Sequence, residues 1–180
     1  LYGKNEHERM AVASTTKIMT LLVALEYGDM EGEVCFSSYA ASQPDVQLNA
    51  GKGERYRLED LLYIMMLKSY NDVAVAVAEH VGGILNGDAS PNETREESIK
   101  DVARFVDMMN EKARNLGCLD TYFITPNGLD ATDDKGYHSS SAYDLALIGA
   151  YAIKLEKVTQ ICTTRSYSYM EINRKRTGTV

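Results

Sequence analysis

Apolar residues at Ile18, Leu21, Leu22 and Leu25 recur at i, i+3, i+4 and i+7, which predicts a helix starting at Ser14 and stopped by Gly28. Ahead of it the polar run Gly3 to Arg9 reads as a hairpin turn leading into Met10-Ala11-Val12-Ala13. Residues 33 to 53 are turn-rich, and Val34, Phe36, Val46 and Leu48 predict two short strands before Gly51-Lys52-Gly53. A second helix is predicted over Leu58 to Met66. A third, Asp72 to His80, is apolar almost all round and therefore buried. The polar loop Gly87 to Glu97 feeds a long amphipathic helix with Ile99, Val102, Val106, Met109 and Ala113 on its apolar face, stopped by Gly117. Thr121 to Ile124 is strand-like, Pro126 and Gly128 mark a loop, and Ser139 to Ser141 can cap a helix through Leu145, Ile148 and Ala152. Thr163 to Ile172 alternates like a strand, with Arg174-Lys175-Arg176 as the exposed end of a hairpin. Helices dominate and strands gather at the two chain ends, an α+β pattern.

Of the 180 residues, 44% are hydrophobic, enough to build the core of one globular domain. A formal charge of -7 with scattered Lys and Arg leaves no basic stripe for phosphates, so nucleic acid is not expected as a partner. No apolar run reaches the ~20 residues of a membrane span. The chain opens at Leu1 without a charged and then apolar leader, so any export signal is expected to have been removed or never present. Cys35, Cys118 and Cys162 are too few and too far apart for a disulfide framework and are expected to be buried small hydrophobes. His7, His80 and His138 form no H-E-x-x-H pair, because Ala11 stands where the second His would be, and no metal or cofactor is expected. Gly51-Lys52-Gly53 is a turn rather than a phosphate loop, and no serine lies in G-x-S-x-G.

Ser14-Thr15-Thr16-Lys17 is different: a hydroxyl and an amine three residues apart at a helix start share one face, within reach of each other. Free N–H groups at a helix start favour the negative charge that develops on a carbonyl under attack. Lys17 can serve as a base only if burial lowers its pKa, and Ile18, Met19, Leu21 and Leu22 supply apolar surroundings. The second element, Ser69-Tyr70-Asn71, joins two apolar helices; its hydroxyl can relay a proton and its amide can hold a substrate amide. Ser90-Pro91-Asn92 offers the same spacing but lies in a polar loop without apolar cover, so it is set aside.

With these residues in place, Ala13 to Thr20 resembles the active-serine motif of the low-molecular-mass penicillin-binding proteins, the D-alanyl-D-alanine carboxypeptidases. Leu58 to Leu62, Ser69 to Asp72 and Ala78-Glu79-His80 are similar to the second motif and its flanks, and Asn127 to Asp130 with His138 to Ala146 is similar to the loop and helix that follow. The resemblance implies a β-lactamase/transpeptidase-like α+β fold, helices packed on a five-stranded antiparallel sheet that is incomplete in this chain. It implies that Ser14 is acylated by a peptidoglycan stem peptide ending in D-Ala-D-Ala, or by a β-lactam. Lys17 would then be the base, Ser69 a proton shuttle and Asn71 a substrate ligand. It also implies an extracytoplasmic site of action in the bacterial envelope.

One motif of the resemblance is missing. Lys175-Arg176-Thr177-Gly178 carries one residue too many to be the K-T-G strand, so residues 1–180 are expected to form one catalytic domain lacking its C-terminal part, with K-T-G and any membrane anchor beyond Val180. Alone, such a chain is expected to be unstable or aggregated unless a second segment or a partner chain supplies the missing strands. Two other readings remain. A serine β-lactamase would need a water-activating Glu in E-x-x-L-N, but Gly82 precedes Leu85-Asn86 at that position. A non-catalytic peptidoglycan-binding module would not need Ser14, Lys17, Ser69 and Asn71 together.

Overall fold

The computed structural model describes residues 3–88, 90–91 and 94–180. Asn92 of the Ser90-Pro91-Asn92 alternative lies outside the described residues.

The fold is organised around the helix that the sequence marks as buried. It runs longer than expected, Asn71–Asn86 (α4), and is covered by Thr16–Tyr27 (α1), Leu58–Lys68 (α3) and Arg95–Asn115 (α5). Its small residues allow that crowding. A Cβ on Gly82 would lie 1.9 Å from the carbonyl oxygen of Asp101, so α4 and α5 meet backbone to backbone there. This close approach also rotates α5: Ser98, Asp101, Phe105 and Met109 are buried, whereas Ile99, expected on the apolar face, is 46% exposed. Thr94 and Glu97 close a capping box at the start of α5, and Gly117, at φ 84°, follows its end.

The strands differ from expectation in an instructive way. Glu33–Cys35 (β1) pairs antiparallel with Arg55–Arg57 (β2), beyond the glycine turn, and the chain between them first forms the short helix Ser38–Ala41 (α2). Val46 and Leu48 form no strand, because their backbone groups bond to the start of α4: Val46 O accepts the Asn71 N–H at 2.7 Å and Leu48 N–H donates to Asp72 at 2.9 Å. Residues 121–124 contribute only a bridge between Tyr122 and Ser139, and the N-terminal segment only one between Met10 and Ser140. Thr132–Asp133 (β3) and Gly136–Tyr137 (β4) form a small hairpin.

Ser141 caps Ala142–Ala152 (α6) by accepting the Asp144 N–H, as the serine run predicts. The next helix, Glu156–Thr163 (α7), is absent from the sequence reading. Its Val158 and Ile161 bury, and α7 packs on α3. Consequently the last hairpin starts later than Thr163, pairing Ser168–Glu171 (β5) with Arg176–Thr179 (β6) around Lys175 at φ 54°. Among the described residues the strands thus form three separate two-stranded antiparallel sheets, not a group at the chain ends, in an α+β fold. Cys118 is buried as expected, but Cys35 is half-buried and Cys162 exposed. No described helix is long and apolar enough to cross a membrane.

The α4–α5 contact predicts that Gly82→Ala is among the most damaging single-methyl additions, costing about 3 kcal/mol because backbone rather than a flexible side chain must move. Urea melts of the variant beside Gly149→Ala, where a Cβ meets nothing within 4 Å, would check it; equal stabilities would refute the close packing.

Candidate active site

Ser14 sits in a 3-10 turn, Ala13–Thr15, that runs directly into α1. The turn is entered through Ala13 at φ 44°, a conformation a non-glycine residue adopts only when its surroundings enforce it. Two contacts do so. Thr15 donates to Val12 O through its N–H (3.2 Å) and its hydroxyl (2.5 Å). Gly128, at φ 85°, lies so close that a Cβ there would be 1.9 Å from Ala13 O. The result presents Ser14 to solvent at the head of α1.

Lys17, one turn on, lies on the same face but is buried beneath Ser14. It is 1% exposed, and its ammonium donates to Ser14 Oγ at 3.1 Å, Asn71 Oδ1 at 2.9 Å and Asn127 O at 2.7 Å. All three N–H bonds are used, yet no acceptor is a carboxylate, so burial dominates and pushes the lysine down to about 8. A lysine in that range loses its proton readily, and the group 3.1 Å away is a serine hydroxyl.

Asn71 opens α4, and its amide is fully oriented: Nδ2 donates to Pro44 O (3.1 Å) and Asp45 O (3.0 Å), which leaves Oδ1 facing Lys17. One Oδ1 lone pair stays free. Ser69 ends α3 in the left-handed conformation, φ 61°. It lies two residues before Asn71 and half-buried, but makes no side-chain hydrogen bond to Ser14 or Lys17. The fold thus brings Ser14, Lys17 and Asn71 into contact and joins Ser69 to them by no side-chain hydrogen bond.

Sequence reasoning found the loop that completes the site, through Pro126, Gly128 and the resemblance at Asn127 to Asp130, but not its contact with Lys17. Asn127 gives Lys17 its third acceptor through a backbone carbonyl, which any residue carries and no motif reveals. The loop is pinned by Thr20, which donates to Pro126 O at 2.6 Å, and by the buried His138. His138 Nδ1 accepts the N–H groups of Ile124 (3.0 Å) and Thr125 (3.3 Å), so the proton is on Nε2, which donates to Thr16 Oγ1 at 2.8 Å. Burial pushes this imidazole down to about 4. The sequence offers each histidine as structural or exposed, and nothing in it shows that this one ties the Ser14 helix to the Asn127 loop. Among the described residues no group of three or more His, Cys, Asp or Glu could hold a metal ion.

The profile of the D-alanyl-D-alanine carboxypeptidase family matches residues 1–88 and 98–179. The chain is 37% identical over 169 residues to the D-alanyl-D-alanine carboxypeptidase DacF of Bacillus subtilis, covering 91% of this chain and 38% of that protein. It is 26% identical to the D-alanyl-D-alanine carboxypeptidase of Streptomyces sp. K15 across 100% of this chain and 58% of that one. The solved DD-transpeptidase of Streptomyces K15 superposes with a TM-score of 0.77 at 26% identity, covering 100% of this chain and 66% of that structure. The D-alanyl-D-alanine carboxypeptidase from Mycobacterium tuberculosis H37Rv gives 0.76 at 25% identity, with 99% and 60% covered.

Because the folded imidazole has the lower pKa, His138 contributes stability above its ordinary 6.5 and loses it as pH falls toward about 4. The stability gap between the wild type and His138→Ala, about 2 kcal/mol at pH 7.5 from the buried N–H groups left unpaired, should therefore shrink between pH 6.5 and 4. Urea denaturation across that range would test it, and a constant gap would show that His138 is charged in the fold.

Proposed function

The chain belongs to the D-alanyl-D-alanine carboxypeptidase family, and from that premise we propose that the full-length protein is a serine peptidase that removes the terminal D-alanine of peptidoglycan stem peptides through an acyl-enzyme on Ser14. The observation that carries the proposal is the 3.1 Å contact between Ser14 Oγ and a lysine buried without a carboxylate partner.

In the proposed sequence, neutral Lys17 takes the Ser14 proton as Oγ bonds to the carbonyl carbon of the penultimate D-alanine. The Ser14 N–H, in the first turn where the helix supplies no acceptor, faces the developing oxyanion. The C–N bond then breaks, and the departing D-alanine amine receives the proton from Lys17 by way of Ser69. Water, deprotonated by the same lysine, adds to the ester carbonyl; the C–Oγ bond then breaks, Ser14 Oγ takes that proton back from Lys17, and the shortened peptide leaves with a free carboxyl group. Asn71 serves mainly to hold Lys17, and its free Oδ1 lone pair can accept a substrate N–H. A β-lactam presents the same kind of carbonyl and is proposed to acylate Ser14 as an inhibitor. Such a substrate places the site of action in the bacterial cell envelope.

The chain spans 38% to 58% of the lengths of the B. subtilis and Streptomyces relatives. We propose that residues 1–180 are part of a single transpeptidase-like domain whose K-T-G strand lies outside this stretch. The Lys175 turn does not stand in for it, since its neighbours Asn173 and Arg174 bond to Gly53 O and Glu54 Oε1. The β-lactamase reading gains nothing: Gly82 sits where the backbone of Asp101 leaves no room for a side chain, let alone a water-activating Glu.

A fluorescent penicillin should label the full-length protein at Ser14, and Ser14→Ala should abolish the label; peptide mapping to any other residue would refute the nucleophile. Lys17→Arg keeps the charge but cannot release the proton, so acylation should fall about 100-fold or more. In the wild type the acylation rate should rise with pH through about 8, as Lys17 becomes neutral. A flat profile from pH 6.5 to 9.5 would remove Lys17 as the base.

A further inference from the structure

Two carboxylates buried on α4, Asp72 and Glu79, have no part in the chemistry above. They are seven residues apart, two helical turns, and so share a face. Both face the same stretch of chain, residues 37–49. Asp72 accepts the N–H groups of Leu48 (2.9 Å) and Asn49 (3.0 Å) at one end. Glu79 Oε1 accepts the hydroxyl proton of Ser37 at 2.7 Å at the other. With its proton so directed, Ser37 Oγ turns its lone pairs to the N–H groups of Tyr39 (3.0 Å) and Ala40 (2.9 Å) and caps α2.

Between the two anchors this strap supplies nearly everything that orients Asn71. Pro44 O and Asp45 O hold its Nδ2, Val46 O holds its N–H, and Gln43 Oε1 accepts from Asn127 Nδ2 at 3.2 Å on the loop that carries the third Lys17 acceptor. Asn71 then holds Lys17. A continuous set of hydrogen bonds therefore runs from Glu79 through Ser37 and the strap to the ammonium beside Ser14.

Glu79 is a costly way to anchor a loop. It is 4% exposed, its Oε2 has no hydrogen-bond partner, and the fully buried Ser98 Oγ on α5 interacts with the same carboxyl without reaching bonding geometry. Asp101 on α5 repels it, and across a cavity of about 60 Å³ it faces Glu33, Cys35 and Arg55 of β1 and β2, with His80 beside it. Burial pushes Glu79 up to about 7. A plain apolar residue would pack there at lower cost, which argues that the acceptor is kept for what it holds.

We propose that Glu79 is a positioning residue for the Ser14–Lys17 pair, fixing Ser37 and with it the strap whose carbonyls aim Asn71 at Lys17. The inference rests on the functional reading of that pair. Glu79→Gln keeps an acceptor oxygen for Ser37, whereas Glu79→Ala removes it. In the full-length protein, with penicillin acylation rates measured per folded molecule by titrating Ser14, Glu79→Ala should acylate about 10- to 100-fold more slowly than wild type. Glu79→Gln should stay within about threefold of wild type, and Ser37→Ala should reproduce the alanine defect without adding to it in the double variant. If Glu79→Ala does not fold, the same comparison between Ser37→Ala and Glu79→Gln decides the question. Wild-type rates in Ser37→Ala, or a Glu79→Gln as slow as Glu79→Ala, would overturn the positioning role while Ser14 labelling of the wild type stands. A wild type that takes no label at Ser14 would overturn the functional reading, and this inference with it.

Discussion

Taking the ammonium of Lys17 out of water is the constraint around which the candidate site is arranged. An isolated cation moved into a protein interior costs several kcal/mol, and here no carboxylate offsets it. The structure answers with three neutral oxygens at 2.7 to 3.1 Å, each from a different part of the chain: the hydroxyl of Ser14, the side chain of Asn71 and the backbone of Asn127. That choice satisfies every N–H while leaving the charge poorly compensated, and so the lysine is held where it can give up its proton. A carboxylate in any of the three places would have stabilised the cation and undone the role proposed for Lys17 as a base.

Each acceptor must then be held by its own support, and these supports make up much of the remaining fold. Ser14 depends on the positive-φ entry at Ala13, which depends on Gly128 having no side chain. Asn127 depends on a loop pinned to α1 by Thr20 and by a neutral His138 bonded to Thr16. Asn71 depends on the carbonyls of residues 44–46, in a strap fastened to α4 by two buried carboxylates. Beneath them α4 packs against α5 at backbone distance through Gly82. A contact far from Ser14 therefore bears on its geometry through rigid packing and hydrogen bonds.

The sequence by itself determined the longer helices, though not α2 or α7, and the polar side chains of the candidate site. Helical period made α1, α3, α4 and α5 legible because each buries one wide face or all of itself, and the Ser14–Lys17 spacing was readable because residues three apart on a helix must share a face. Tertiary structure decided what depends on backbone groups and on which face meets which neighbour. The alternation at Val46 and Leu48 looks like a strand, but the start of α4 takes up those backbone groups, and no local pattern announces that competition. Ile99 fits the apolar stripe of α5 yet lies toward solvent, because Gly82 draws the helix in along Ser98, Asp101 and Phe105. Asn127 holds Lys17 through a carbonyl common to all residues, and His138 matters for where its ring nitrogens point, so neither could be distinguished until the chain was folded.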